Sequence, residues 1–215
     1  MTKAIYQLNN VIMNYGDKCV LNIPDLTIKQ GQCIALTGEN GAGKSTLLTL
    51  LAGLKQASSG QISLNNQTMT LPLKTAQRQR IGWVNQHPYL LAGSVESNLQ
   101  LALKLQSIPR SQHQQLIEHA LEQTNSTHLI NQATNTLSGG ELKRVAIARA
   151  IVYQPDIILL DEPFSHLDSQ HSQLLAQCIQ TLALDNKTIL FSTHNQQHDI
   201  NLADNTITLV NGELA

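Results

Sequence analysis

The sequence predicts an α/β protein: a mostly parallel sheet flanked by helices, with an N-terminal antiparallel β layer and an inserted helical subdomain. Three observations carry this expectation. Short aliphatic runs that read as buried strands alternate with helical patterns, which implies parallel strands joined by helical crossovers. The first 36 residues instead carry strand after strand, separated only by turn signals. Residues 88–130 carry helical periodicity and no strand.

The elements follow in order. Ile5, Leu8 and Val11, then Val20-Leu21, Leu26 and Ile28, mark strands between turns at Gly16-Asp17 and Lys29-Gln30-Gly31. Cys33-Ile34-Ala35-Leu36 is a short buried-type strand that runs into a glycine-rich turn, and residues 45–54 read as the helix beyond it. Residues 60–64 and 81–84 are further strands. Helices are expected over 95–105 and 111–124, the second placing Leu116, Ile117, Ala120 and Leu121 on one face. Helix 141–152, strand 157–160, helix 170–182 and strand 188–192 come next, and strand 207–210 closes the chain before Asn211-Gly212. One domain is expected over 1–215, with its core in 1–86 and 146–215 and the helical subdomain in 87–145.

Composition narrows the functional classes. Hydrophobic residues make up 41% of the 215 residues, enough for a real core. Charged residues are only 13%, about half the usual roughly 25%, and net charge is −1. Such a chain has little with which to build a basic face, so no nucleic-acid partner is expected. Cys19, Cys33 and Cys178 are far apart, without metal-ligand spacing, which fits a reducing compartment. No stretch is long and apolar enough to span a membrane, so work at a membrane would require docking on another chain.

Two segments carry chemistry. Gly38-Glu39-Asn40-Gly41-Ala42-Gly43-Lys44-Ser45-Thr46 fits G-x-x-x-x-G-K-[ST] between a strand and a helix. Glycines let the backbone wrap an anion with its N–H groups, and the helix N-terminus adds partial positive charge at the same place. Lys44 would neutralise the β- and γ-phosphates, and Ser45 would offer a hydroxyl to Mg²⁺. Further on, Ile157-Ile158-Leu159-Leu160-Asp161-Glu162-Pro163 is an aliphatic strand ending in two carboxylates. It delivers Asp161 to the carboxyl edge of the sheet, where α/β ligands bind. Asp161 suits Mg²⁺, and Glu162 suits polarising a water for attack on the γ-phosphate. Together the segments point to a P-loop NTPase core.

Between them stands Leu137-Ser138-Gly139-Gly140-Glu141, followed by Arg144 and Val145-Ala146-Ile147-Ala148-Arg149-Ala150. This resembles the signature of the ATP-binding cassette (ABC) ATPases, in that family's motif order and over essentially the whole chain. The resemblance implies further roles. Tyr15 falls where an aromatic stacks on adenine. Gln86 matches the Q-loop glutamine, which reaches Mg²⁺ and the attacking water. Ser165-His166-Leu167-Asp168 resembles the D-loop, and His194 the switch histidine that contacts the γ-phosphate. The remaining histidines, among them His87, His113 and His171, read as surface or loop residues. His166 in place of alanine, Glu141 in place of glutamine and Asn195 in place of aspartate depart from the family pattern without removing a catalytic group.

The resemblance also implies ATP and Mg²⁺ as cofactors and a head-to-tail homodimer, or a pairing with a similar cassette. In that dimer Ser138, Gly139 and Gly140 of one copy cap the nucleotide held by the Gly38 to Thr46 loop of the other. It implies a permease docked on residues 86–99, a solute-binding protein, and a cytoplasmic, peripheral position on the inner face of the membrane. Residues 86–110 look similar to cassettes of small oxyanion importers of the tungstate and molybdate type. An exporter cassette and a soluble assembly ATPase of the iron–sulfur scaffold type stay open as alternatives.

Overall fold

The computed structural model describes residues 3–194 and 197–215, so Asn195 lies outside the described residues. Strands β1 (Ala4–Tyr15) and β2 (Lys18–Lys29) form a long antiparallel hairpin. With β4 (Ser59–Leu64) and β5 (Gln67–Thr68) they make a four-stranded sheet in the order β2-β1-β4-β5. This is the expected antiparallel layer.

The second sheet has six strands. It contains β3 (Cys33–Thr37), β6 (Ile81–Val84), β7 (Ile157–Leu160), β8 (Thr188–Ser192), β9 (Asn205–Val210) and β10 (Glu213–Leu214), ordered β10-β9-β3-β8-β7-β6. All its pairings are parallel except that of β9 with β10. The strand side chains divide by parity, as a pleat requires. Cys33, Ala35, Ile158, Leu160, Ile189 and Phe191 enter the apolar cluster that also holds the middle helices. Ile34, Leu36, Ile157, Leu159 and Leu190 enter the cluster shared with the antiparallel layer. A sheet covered on both faces needs strands that are apolar throughout, which is why these segments are aliphatic runs and not alternating ones.

Helix α1 (Lys44–Leu51) follows β3. It ends three residues earlier than expected because Gly53 takes φ 65°, the left-handed conformation that stops a helix. A short helix, α2 (Thr75–Arg78), was not foreseen. The inserted region holds α3 (Val95–Leu105) and α4 (His113–Gln123), and the first turn of α4 is preceded by a 3₁₀ turn. Then come α5 (Gly139–Ile151), α6 (Ser169–Leu184) and the short α7 (Gln197–Ile200). Among the described residues no helix is long and apolar enough to cross a membrane.

The surface assignment of His113 is corrected. Its side chain is buried, with Nε2 3.0 Å from the carbonyl oxygen of Ile108. His113 lies four residues before Ile117, on the same helical face, so it packs inward with that face.

Residues 88–94 are tied down by Asn98, buried on α3. Its amide donates to the carbonyl oxygens of Leu91 (2.9 Å) and Ser94 (3.0 Å) and accepts from the Leu91 N–H (2.8 Å). Leu90 is thereby turned into the core at 6% exposure, while Tyr89 stands 70% exposed and Leu91 46%. Leu90→Glu is expected to cost about 3 kcal/mol or more by burying a carboxylate, whereas Tyr89→Glu should stay within about 0.5 kcal/mol of wild type. Urea unfolding of the two variants measures both.

Candidate active site

The glycine-rich loop joins β3 to α1. Gly38 has φ 142°, and a Cβ there would come within 2.3 Å of the Leu209 carbonyl oxygen on the neighbouring β9. Only glycine lets the loop leave the sheet at this point. The Lys44 ammonium is buried and turns back onto its own loop, donating to the carbonyl oxygens of Gly38 (2.7 Å) and Glu39 (3.0 Å). A buried ammonium beside a helix N-terminus is an arrangement that suits an anion.

One strand separates β3 from β7, and β8 fills that gap. Register puts Ser192, the last residue of β8, beside the end of β7. Its hydroxyl donates to Asp161 Oδ1 (2.7 Å) and accepts from the Glu162 N–H (2.7 Å). Ser45 Oγ, from the first turn of α1, donates to the same Asp161 Oδ1 at 3.0 Å. Two hydroxyls and a carboxylate converging within hydrogen-bond distance form an oxygen donor set of the kind hard divalent cations take.

Glu162 has φ 45°, uncommon for a residue with a side chain and a conformation found at functional turns. The turn aims its mostly buried carboxylate into a cavity of about 640 Å³ that Asn40, Gln86, Ser165, His166, Ser192, Thr193 and His194 help to line. Glu162 Oε2 accepts from Gln86 Nε2 (2.6 Å) and lies 2.8 Å from His194 Nε2. Ser45, Asp161, Glu162, Gln86 and His194, named from separate stretches of sequence, thus come together through direct contacts and Ser192, while Lys44, one residue before Ser45, is bound into its own loop. Ser192 closes the expected strand 188–192 and opens the Ser192-Thr193-His194 stretch that carries the switch histidine, but the sequence alone assigns it no role. Its signal is positional: adjacent parallel strands end side by side.

Tyr15 stands at the end of the β1–β2 hairpin, partly exposed. Its hydroxyl accepts from Lys55 Nζ at 2.6 Å, and that ammonium lies 4.4 Å from the ring centroid. The Lys55 hydrogen bond, with a further one to Thr46, holds the phenol pKa below its ordinary value. Thr46 belongs to the anion loop, so the ring is at its rim.

Ser138, Gly139 and Gly140 do not line the cavity. They open α5 through a capping box, in which Ser138 Oγ accepts from the Glu141 N–H (3.3 Å) and the Glu141 carboxylate accepts from the Ser138 N–H (2.8 Å). The Ser138 backbone and hydroxyl bonds hold the Glu141 pKa below the ordinary carboxylate value. The His171 ring lies directly against Gly140, and His171 in turn bonds Asp168, the N-cap of α6, through its N–H and ring (both 2.8 Å). His166 takes φ 58° and its ring stands 6.4 Å from that of His87.

An anion loop feeding a helix, with an acidic strand end one strand away on a mostly parallel sheet, defines a P-loop nucleotide-binding protein. Its family is also defined: the ABC transporter family matches residues 21–165, and the chain belongs to it. The sulfate/thiosulfate import ATP-binding protein CysA of Synechocystis is 34% identical over 209 residues, covering 96% of this chain and 58% of that protein. The Fe(3+) ions import ATP-binding protein FbpC of Photobacterium profundum is 33% identical over 210 residues, 96% of this chain and 59% of the relative. The chain thus spans somewhat under two thirds of the length of these curated relatives. Among solved structures, cbiO1 of Clostridium perfringens, part of the ABC transporter complex cbiONQ, superposes with a TM-score of 0.88 at 30% identity, covering 99% of this chain and 87% of that one. The dimeric post-hydrolysis cassette MJ0796 bound to ADP and Pi gives 0.85 at 28% identity, covering 98% and 96%.

Proposed function

We propose that this chain is the ATP-binding and ATP-hydrolysing subunit that powers a membrane transporter, in the direction of small-solute import. The observation that carries the reading is the Glu162 carboxylate, held in the cavity by Gln86 and His194 beside the Lys44, Ser45 and Asp161 cluster. In this reading the loop N–H groups and Lys44 bind the β- and γ-phosphates, with Gly38, Glu39, Asn40, Gly41, Ala42, Gly43 and Thr46 forming the cradle. Tyr15 takes the adenine at the rim. Glu162 accepts a proton from the attacking water, Gln86 orients that water, and His194 donates to the γ-phosphate. Mg²⁺, bound by Ser45, Asp161 and Gln86 together with ATP, would neutralise charge on the phosphates. Ser138, Gly139 and Gly140, which do not line their own cavity, serve the nucleotide of a second copy in a head-to-tail dimer.

Residues 1–86 and 146–215 form the nucleotide-binding core, and 87–145 the helical subdomain that meets the permease. Tyr89 and Leu91, exposed beside Gln86, are the apolar surface for that partner in the 86–99 region. The subunit then sits peripherally on the cytoplasmic face of the membrane, and a solute-binding protein delivers the cargo from the other side. Relatives named as import subunits support the direction. The sulfate/thiosulfate relative supports an oxyanion cargo, although the iron relative shares the same cassette at similar identity. The purified chain with ATP and Mg²⁺ is expected to release phosphate, and EDTA should abolish that release. Phosphate release that EDTA leaves untouched, or none at any protein concentration, would remove the reading.

A further inference from the structure

Lys143 lies in the second turn of α5, five residues beyond Ser138. Its ammonium reaches across to the loop after β7 and donates to the carbonyl oxygens of Pro163 (3.0 Å), Ser165 and, at 3.5 Å, Glu162. It also reaches the Ser165 hydroxyl at 3.0 Å, and that hydroxyl donates onward to the Glu162 carbonyl oxygen at 2.9 Å. The residues so gripped run from Glu162 to Ser165, the turn in which Glu162 holds φ 45°. Half-buried here, the ammonium has its pKa pulled below the ordinary lysine value by desolvation, while the Glu162 charge pulls the other way. A half-buried cation engaged by several backbone carbonyls serves geometry more than solubility.

The two ends of this contact have different duties. Ser138 to Gly140, on the first turn of α5, face a partner copy's nucleotide under the reading above. Glu162 belongs to this copy's own cavity. The capping box fixes the first turn of α5, and the helix carries that position rigidly to Lys143. We propose that Lys143 is a positioning residue, a strut that fixes the backbone of residues 162–165 to α5 and couples occupancy of the partner's nucleotide site to placement of Glu162 in this one. The inference rests on the dimeric ATPase reading.

Lys143→Met keeps most of the side-chain stem and removes every donor. In the full chain it is expected to leave ATP affinity within about twofold and to lower kcat by roughly ten- to a hundredfold, the scale of a small misplacement of a reacting group. The Hill coefficient for ATP should fall toward unity, and Lys143→Arg should restore part of both losses. Amide hydrogen exchange across residues 162–168 should quicken in Lys143→Met while α1 and the central strands keep their protection. Exchange at 162–168 that stays at the wild-type rate overturns the strut, whatever the turnover does. Faster exchange with unchanged kcat and Hill coefficient overturns the coupling. A wild-type chain that hydrolyses no ATP removes the ATPase reading instead, a result distinct from either.

Discussion

Glu162→Gln should lower ATP turnover by about 10²- to 10⁴-fold, the range a positioned general base supplies. It should leave nucleotide binding nearly intact. The amide keeps the size of the side chain and one oxygen for the Gln86 and His194 contacts at 2.6 and 2.8 Å, but it cannot accept the water's proton at neutral pH. Binding chemistry belongs to other residues, on the loop and α1, so ATP should still enter and close the dimer. With hydrolysis blocked, the closed form should accumulate, visible as an ATP-dependent shift to dimer mass in size-exclusion chromatography with light scattering. Turnover at the wild-type rate in this variant would take the base role away from Glu162.

Lys44→Ala should act at the opposite end of the cycle. A charge-assisted hydrogen bond contributes roughly 1.5–3 kcal/mol, which corresponds to about a ten- to hundredfold weaker ATP affinity. The effect has two parts. The phosphates lose their cation, and the loop loses the internal bonds from Lys44 to the Gly38 and Glu39 carbonyl oxygens at 2.7 and 3.0 Å. Those carbonyls would then point into the anion site with nothing to offset them. Titration with a fluorescent ATP analogue measures the loss, and an affinity equal to wild type would contradict the assignment. Opposite signatures are expected from the two variants: Glu162→Gln binds and stalls, whereas Lys44→Ala binds about ten- to a hundredfold more weakly.

Much of this architecture was legible before any coordinates, because its signals are local. Four aliphatics in a row before Asp161 can hardly be anything but a strand covered on both faces, and the glycine spacing around Lys44 carries its own mechanism. Where reading along the chain fell short, the deciding contact lay across the fold. Ser192 matters because β8 lies between β3 and β7, an order no linear pattern contains. Lys143 looks like one more charge on a helix until the loop after β7 is seen against it. Leu90 and Tyr89 are neighbours of similar apolar character, and only the Asn98 clamp decides which one turns inward. The strand at 67–68 and the helix at 75–78 are too short for periodicity to show. His113 was within reach, since its spacing from Ile117 puts it on the buried stripe.

That Asn98 clamp has a consequence for association. Docking two protein surfaces normally costs the freedom of the side chains and loops that must be ordered at the contact, roughly 0.5–1.5 kcal/mol for each mobile side chain. Here both backbone groups of Leu91 are already engaged by Asn98, and the Leu91 carbonyl oxygen also accepts from Thr134 Oγ1 at 2.9 Å. The segment bearing Tyr89 and Leu91 is therefore set in shape before any partner arrives. In the permease contact proposed above, the backbone of this segment would meet an incoming helix with its ordering entropy already lost during folding, so that less of the contact energy would be consumed in arranging the surface.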